Sequence, residues 1–551
     1  MKNALQLDPR DNIAVALTDL EAGDTATLQD ESITLTEAVP AKHKFAMRDF
    51  AIGDIAMQYG VTVGKVTQTV LKGGRLTTDN LTHLADQFTS SASSSANQDW
   101  QAPDISDWQS RSFDGYHRSD GSVGTSNHWL VIPLVFCENR NIEVMREAFE
   151  KALGYTRAEN YQSYTQKLVD LHLDGADRDT LLNTEIGENA DNPPDLIFPN
   201  IDGIQFLTHG LGCGGTRHDA QTLCGLLAGY ITHPNVAGAT VLSLGCQHAQ
   251  VEILQDEIKL RTANLDKPLL VFEQQQWPSE QAMLTAAMRE TFVGLVEANQ
   301  ITRQPAPLSK LTLGVECGGS DGFSGISANP LIGQVSDLLV ALGGSSILAE
   351  FPELCGVEQN LLDRCTSEKA AQRFAQLMSA YAARAEASGS GFDQNPSPGN
   401  IRDGLTTDAI KSAGAAKKGG TSPVVDVLDY PEHVTQPGLN LLCTPGGDVE
   451  STTAMAGAHA NMMVFSTGLG TPTGNPICPV IKISTNSSLA QRMADIIDFD
   501  AGPIIDGRNT IPALAQKLLD LIIEIASGRA QSKAQQLGQK DFLPWKRDVS
   551  L

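Results

Sequence analysis

Three glycine-rich loops, each carrying a cysteine just after an apolar run of strand length, constrain the fold of this chain more than any other feature. The cysteines are Cys213, Cys246 and Cys317, and segments with helical patterns separate the strands. Strands that alternate with helices predict a parallel sheet with helices on its faces. Ligands bind at the carboxyl ends of such strands, so we expect the three thiols to converge at a ligand site.

Length and charge limit the class of protein. The 551 residues predict about three domains at roughly 150 residues per domain. The excess of 65 acidic over 40 basic residues gives a formal charge of −25, which disfavours nucleic acid and anionic membranes as partners. An anionic substrate would therefore need a local positive centre such as a metal. We find neither a membrane-spanning apolar run nor a signal-peptide core, so we expect a cytoplasmic protein with reduced cysteines.

The pattern along the chain divides it into four segments and predicts a multidomain α/β fold. Short apolar runs between turn residues indicate a small, mostly β domain over 1–88. A serine-rich stretch with few apolar residues predicts a flexible linker over 89–110. Alternating strands and helices predict a middle α/β domain over 111–305 and a C-terminal α/β domain over 306–551.

The donor atoms near the loops favour a soft metal site. Neither a P-loop nor a Cys-x-x-Cys pair occurs. Thiolates, with His209 close to the first cysteine, favour ferrous iron, zinc or an iron–sulfur cluster, although each cysteine alone also fits a small buried residue. Asp321, Glu350, Glu353 and Asp448 lie in adjacent loops, where they would serve as oxygen ligands, acid/base groups or helix caps.

Motifs spread from residue 11 almost to the end of the chain identify a resemblance. The matching segments are 11–17, 43–46, 121–124, 316–322, 324–330, 395–400, 424–428, 437–442, 465–472 and 497–502. On these motifs the chain resembles the altronate/galactarate dehydratase family of sugar-acid hydro-lyases. One departure is Gln247, which stands where the family pattern has glutamate.

The resemblance implies both an architecture and a reaction. It implies an N-terminal SAF-type β-clip domain, a middle domain and a larger C-terminal α/β domain. The implied reaction is the dehydration of D-altronate to 2-dehydro-3-deoxy-D-gluconate and water in hexuronate catabolism. The implied cofactor is Fe²⁺, with Mn²⁺ as a substitute and an iron–sulfur cluster as an alternative, and we expect Cys213, Cys246 and Cys317 as metal ligands. Galactarate dehydration and non-catalytic binding of a sugar acid are the alternatives, and we expect a homo-oligomer.

The chemistry of dehydration suggests roles for individual residues. A base must remove a weakly acidic C2 proton, and an acid must assist the departure of the C3 hydroxyl. Our hypothesis gives this work to His209 and His218, with Asp321 as a further acid/base group and with His43 and Lys44 closing the site from the β domain. An ordinary surface histidine is the alternative for His218. The residues predicted to bind substrate are Ser320, Ser324, Asn400, Thr467 and Thr471.

Overall fold

The computed structural model describes most of the chain. The described residues are 2–29, 31–88, 100–155, 160–186 and 196–550. Residues 89–99 of the predicted linker lie outside this set. Beyond them the chain is packed, because Trp108 is buried in the core of the C-terminal region. Within the described ranges, no helix is both long and apolar enough to span a lipid bilayer.

The N-terminal region is built almost entirely of short antiparallel strands. They are β1 (Ala4–Leu5), β2 (Ile13–Ala16), β3 (Thr25–Thr27), β4 (Ser32–Thr34), β5 (Lys44–Ala46), β6 (Ile55–Gln58), β7 (Val61–Val66), β8 (Arg75–Leu76) and β9 (Leu81–Thr82). They form sheets in the orders β1-β2-β5-β8, β3-β4 and β6-β7-β9. Glycines with positive φ, such as Gly53 and Gly73, make the turns between them. The predicted small β domain is confirmed.

The middle region is a four-stranded parallel sheet covered by helices. The strands of this sheet are β12 (His128–Pro133), β13 (Gly203–Phe206), β14 (Val236–Ser243) and β15 (Leu269–Glu273). A separate antiparallel ribbon consists of β10 (Ser112–His117), β11 (Val123–Gly124) and β16 (Gln304–Pro307). Its helices are α1 (Asn139–Leu153), α2 (Asn160–Leu173), α3 (Arg178–Leu182), α4 (Arg217–Thr232), α5 (Val251–Arg261) and α6 (Glu280–Ala298). The sheet order is β13-β12-β14-β15. Every residue of β12 and β14 is buried, as expected for a parallel sheet covered on both faces.

The C-terminal region contains a seven-stranded parallel sheet. Its strands are β17 (Thr312–Cys317), β18 (Ser345–Leu348), β19 (Val424–Leu428), β20 (Gly438–Leu442), β21 (Met462–Thr467), β22 (Val480–Ser484) and β23 (Phe499–Asp500). Its helices are α7 (Ala328–Ala341), α8 (Glu358–Asp363), α9 (Glu368–Ala387), α10 (Pro398–Arg402), α11 (Asp408–Ala415), α12 (Asp448–Gly457), α13 (Ser487–Arg492), α14 (Gly502–Ile505), α15 (Ile511–Ala526) and α16 (Lys533–Leu537). The α/β architecture predicted from the strand–helix alternation is confirmed.

The three regions share their hydrophobic cores. Side chains from α4 and β14 of the middle region pack in one cluster with side chains from α12 and β21 of the C-terminal region. The core of the β domain likewise continues into α11, through Leu405, Ala409 and Ile410. Apolar area buried between regions stabilises their arrangement in the same way as it stabilises each core. Loops at the ends of the large sheet are therefore held against the β domain.

Candidate active site

The chain order reverses at the centre of the large sheet. The strands run in the spatial order β19-β20-β18-β17-β21-β22-β23, so the chain builds one side of β17 first and then returns to the other. Ligands of doubly wound sheets bind outside the carboxyl ends of the strands at such a switch point. Glu316 and Cys317 are the last two residues of β17, and both are buried.

Side chains with metal-binding donors meet at this switch point. Cys317 Sγ and carboxylate oxygens of Glu350 and Glu353 lie within 4.8 Å of one another, and so do oxygens of Glu316, Glu350 and Asp448. The loop after β18 carries Glu350, and Asp448 is the first residue of α12. Glu350 has a φ of 62°, a left-handed conformation that a side chain other than glycine adopts at an energetic cost.

Glycine at position 318 allows the two loops to approach each other. A Cβ atom placed on Gly318 would lie 2.0 Å from Asp448 Oδ2 and 2.6 Å from the ring of Phe465. No side chain fits at these distances. The glycine that follows Cys317 therefore allows the end of β17 to pack against the start of α12.

Two buried lysines balance the carboxylates. Lys418 Nζ donates hydrogen bonds to Cys317 Sγ at 2.7 Å and to Glu350. Lys411 Nζ lies 2.6 Å from Glu353 Oε1. Buried charges persist in folded proteins only when they are paired and hydrogen-bonded in this way. Lys418 is 1% exposed, so its ammonium group belongs to the interior of the cluster.

The donor set retains unused acceptors, which suits a bound cation. Among the described residues, Glu316 Oε1 and Glu350 Oε1 are buried and have no hydrogen-bond partner, although Glu316 Oε2 accepts one from Ser451 Oγ at 2.6 Å. A buried acceptor without a donor is costly, about 1–3 kcal/mol. A thiol together with carboxylates is a donor set that accommodates a divalent transition metal. The residues present thus fit the ferrous ion that the sequence predicts.

Crowding of carboxylates moves several pKa values toward neutrality. Burial, reinforced by the Glu353 carboxylate, raises the pKa of Glu350 to about 7 and the pKa of Asp448 to about 6. Burial also acts on Glu353, but the two neighbouring lysines outweigh it and hold the pKa of that carboxyl below its usual range. Groups with pKa values near neutrality are suited to general acid and base catalysis.

A third buried lysine lies against the ring of Phe465. Lys482, in the middle of β22, is completely buried, and its Nζ lies 3.7 Å from the centroid of Phe465. The ammonium group donates a hydrogen bond to the carbonyl of Thr473. Burial lowers the pKa of Lys482 to about 7, although Asp448 opposes the shift. Burial thus disfavours the charged form of this amine.

The β domain reaches the switch point through Lys42. Its Nζ lies 3.0 Å from Asp321 Oδ2 and 3.0 Å from Asp403 Oδ1. Asp321, which we predicted to be catalytic, is fully buried and also accepts hydrogen bonds from Ser324 Oγ and Thr485 Oγ1. Because all these donors point at Asp321, its carboxylate holds the loop after β17 and the β domain together.

His43 and Lys44 lie at the same domain contact, as the prediction of a site closed from the β domain requires. His43 Nε2 donates a hydrogen bond to the Arg402 carbonyl at 3.0 Å, and its buried Nδ1 has no partner among the described residues. Lys44 Nζ donates to the Gly404 carbonyl at 2.5 Å, and burial lowers the pKa of Lys44 to about 7.

The five residues predicted to bind substrate lie together in the loops around Asp321. Asn400 Nδ2 donates to the Ser320 carbonyl at 2.8 Å, and Ser324 Oγ accepts from the Asp321 backbone at 2.9 Å. Thr467 Oγ1 accepts from the Thr471 backbone at 3.1 Å. These contacts shape the loops, and the substrate-binding role of the five residues stays a prediction.

The predicted catalytic histidines of the middle region have other partners. His209 is buried and donates from Nε2 to the Pro133 carbonyl at 2.7 Å, while its Nδ1 accepts from the Leu211 backbone at 3.1 Å. Burial lowers the pKa of His209 to about 4. His218 is half exposed and lies 3.0 Å from Asp548 Oδ2. Both histidines thus lie at the ends of the smaller sheet, and their catalytic role stays a prediction.

The three cysteines do not form one cluster. Cys213 and Cys246 are exposed in loops of the middle region, whereas Cys317 is buried. In the part of the chain that the structure describes, no group of three potential ligand atoms within 4.8 Å of one another contains Cys213 or Cys246. The structure surrounds Cys317 with carboxylates instead. Each of the three cysteines lies next to a glycine after a strand, and this local pattern does not reveal which strands share a sheet.

Several cluster residues were missed from the sequence. Glu316 and Lys482 are charged residues inside apolar strands, a pattern that indicates a buried functional charge. These charged positions in apolar strands were visible in the sequence. Lys411 and Lys418 follow no such pattern, because they reach the cluster from α11 and the turn after it, far along the chain.

The fold and the cluster together define a class of protein. The switch point of the doubly wound α/β sheet holds acid/base groups and side chains that can ligate a cation, and a small β domain packs over it. This architecture is typical of an enzyme that acts on a small polar molecule. Comparison with known proteins narrows this class.

Family models match all three regions. The model for the altronate/galactarate dehydratase SAF domain matches residues 2–84, the model for the D-galactarate dehydratase/altronate hydrolase second domain matches 115–299, and the model for the D-galactarate/altronate dehydratase C-terminal domain matches 308–550. The chain therefore belongs to the D-galactarate/altronate dehydratase family and is a sugar-acid hydro-lyase.

Curated relatives cover nearly the whole chain. Altronate dehydratase of Escherichia coli (strain K12) is 32% identical over 530 residues, 95% of each chain. Altronate dehydratase of Bacillus subtilis (strain 168) is 30% identical over 530 residues, 96% of each chain. Galactarate dehydratase (L-threo-forming) of Escherichia coli (strain K12) is 27% identical over 540 residues, 97% of this chain and 94% of its own.

Proposed function

We propose that the chain converts D-altronate to 2-dehydro-3-deoxy-D-gluconate and water, a step of hexuronate catabolism, at the switch point beside β17. The observation that carries the proposal is the cluster of acid/base groups around Cys317, with Asp448 as its partly exposed member. The choice of altronate rests on the two relatives of that name, which are 32% and 30% identical to the chain, against 27% for the galactarate enzyme.

The proposed cofactor is a ferrous ion, for which Mn²⁺ can substitute. Cys317, Glu350 and Glu353 would hold it, because their donor atoms already lie together and Glu350 Oε1 lacks a partner among the described residues. Such an ion, when bound, draws electron density from the substrate carboxylate and makes the C2 proton more acidic. Ligation by Cys213 and Cys246, or an iron–sulfur cluster, is the alternative.

The residues of the cluster divide the remaining work. Asp448, ionised at neutral pH, takes the proton from C2 of the substrate. The same carboxyl then gives this proton to the C3 hydroxyl, which leaves as water, and the enol that remains becomes the 2-keto acid. Lys482, in its protonated form, favours the ionised form of Asp448.

The test is a side-by-side assay of the anaerobically purified enzyme, loaded with Fe²⁺, on D-altronate and galactarate. Semicarbazide detects the 2-keto product. We expect a higher kcat/KM on altronate, and at least 100-fold less product from Asp448→Asn, in line with the usual loss of a general base. Glu450→Gln, which removes a carboxylate two residues away, is the matched control and should keep the activity.

Each alternative predicts a different result. A higher kcat/KM on galactarate would make the chain a galactarate dehydratase. Binding of altronate without a keto product would leave a sugar-acid binding protein. Activity lost in His209→Gln or His218→Gln but kept in Asp448→Asn would return the acid/base role to the histidines. Acid-labile sulfide at a level equal to iron would favour a cluster over a single ion.

A further inference from the structure

A second group of metal-binding side chains lies outside the active site. Donor atoms of His83, Cys355 and Asp408 lie within 4.8 Å of one another. His83 follows β9 in the β domain, Cys355 lies in the loop between β18 and α8, and Asp408 begins α11. Three distant segments, from two regions of the chain, thus bring a nitrogen, a sulfur and an oxygen donor to one point.

Asp408 has an oxygen that the protein leaves unused. The residue is completely buried, and Oδ2 has no hydrogen-bond partner within the described parts of the chain. The other oxygen receives only a long contact, 3.5 Å from Ser412 Oγ. A buried carboxylate oxygen needs a strong hydrogen-bond donor or a cation, and among the described residues the other donor beside this carboxylate is the weakly donating thiol of Cys355.

The two regions are packed closely at this point. A Cβ atom placed on Gly356, next to Cys355, would lie 3.0 Å from Cβ of Ala85, two residues after His83. Gly356 also has a φ of 87°, which favours glycine. The close approach keeps the thiol and the imidazole near each other. Cys355 and His83 are both partly exposed, so an ion can enter from solvent.

We propose that His83, Cys355 and Asp408 bind a divalent cation of the zinc class that fastens the β domain to the C-terminal region. One imidazole, one thiolate and one carboxylate form a donor set that Zn²⁺ and Co²⁺ bind tetrahedrally, with solvent as the fourth ligand. Cys355 gives its thiol proton to solvent when the ion binds. The site shares no residue with the proposed dehydration centre and does not depend on the reaction.

Co²⁺ is the probe, because a cobalt–thiolate bond absorbs in the near ultraviolet. The purified full-length protein is stripped of metal, titrated with Co²⁺ and read by absorbance and by metal content per chain. Cys317→Ser removes the thiol of the active site, so any remaining thiolate band comes from elsewhere. We expect Cys317→Ser to keep such a band and the double variant Cys317→Ser/Cys355→Ser to lose it, together with one equivalent of tightly bound cobalt.

Two further variants keep the test decisive if the double variant does not fold. His83→Gln changes a partly exposed side chain and should also lower cobalt content by one equivalent in the Cys317→Ser background. Cys443→Ser, at a buried thiol outside all groups of donors in the described chain, should leave band and content unchanged. A Cys317→Ser protein without a thiolate band, or His83→Gln with unchanged cobalt content, would overturn the proposal and leave Cys355 hydrogen-bonded to Asp408 only.

Discussion

Replacing Lys482 by methionine should stabilise the protein and impair catalysis. The lysine is completely buried, and its pKa falls from 10.5 to about 7 on folding. One pKa unit corresponds to about 1.4 kcal/mol, so keeping this amine costs about 4 kcal/mol of stability at pH 7. Methionine has similar length and no charge, but it leaves the Thr473 carbonyl without its donor. We therefore expect a net gain of roughly 2–3 kcal/mol, after subtracting about 1–2 kcal/mol for that carbonyl.

The gain should depend on pH in a defined direction. The unfolded chain keeps the proton on Lys482 up to pH 10.5, whereas the folded chain releases it near pH 7. The stability of the wild type therefore rises with pH between about 7 and 10.5, and the advantage of the variant shrinks across the same window. Hydrogen exchange of the β22 amides measures the local stability, because a chain of several regions rarely unfolds in one step.

A second lysine provides a control of opposite sign. Lys418 is equally buried but is bonded to Cys317 and Glu350. Lys418→Met removes one partner of a buried pair and should destabilise the protein by roughly 3–5 kcal/mol. If Lys482→Met were as destabilising as Lys418→Met, or kept wild-type turnover of altronate, the reasoning about an unpaired amine retained for catalysis would be refuted.

Three other substitutions test the arrangement of the loops. Gly318→Ala places a methyl group 2.0 Å from Asp448 Oδ2, so kcat should fall at least 10-fold while circular dichroism stays unchanged. His218→Ala removes a half-exposed ion pair, so the free energy of unfolding should change by less than about 1 kcal/mol and kcat should stay the same. A large loss of kcat would contradict the assignment of the acid/base role to Asp448. Lys42→Met leaves buried Asp321 without its cation and should cost roughly 3 kcal/mol, seen as faster proteolysis of the β domain; unchanged proteolysis would contradict the docking role.

The sequence allowed the architecture to be predicted because strand and helix patterns are local. The strand Gly438–Leu442 is an almost continuous apolar run, and the helix Ile511–Ala526 repeats apolar residues at helical spacing. The mostly β character of the N-terminal domain follows in the same way from turn glycines at short intervals. Hydrophobic periodicity is a property of each helix or strand alone, so the element can be predicted without knowing what it packs against.

The site was only partly predictable, because its members are distant in sequence. Glu350, Glu353 and Asp448 were recognised as loop carboxylates, and Cys317 as a candidate ligand. Cys317 and Cys213 both follow a strand and precede glycine, and the one local signal that distinguishes them is the charged Glu316 before Cys317. Their difference arises from the sheets to which their strands belong, and the pairing of strands is a tertiary property.

A chain with a formal charge of −25 needs a local positive charge to bind an acidic substrate. Lysines near the end of β17 carry such charge, but most of them are already paired with carboxylates of the protein. Lys411 and Lys418 are paired with glutamates, and Lys42 is shared between two aspartates. Burial lowers the pKa of Lys482 to about 7, which disfavours its positive charge. Fixed charges in the cluster therefore nearly cancel, and a substrate carboxylate would meet little net attraction from the protein alone. A divalent cation would supply the missing charge, which is the electrostatic reason to propose metal dependence although four lysines lie near the switch point.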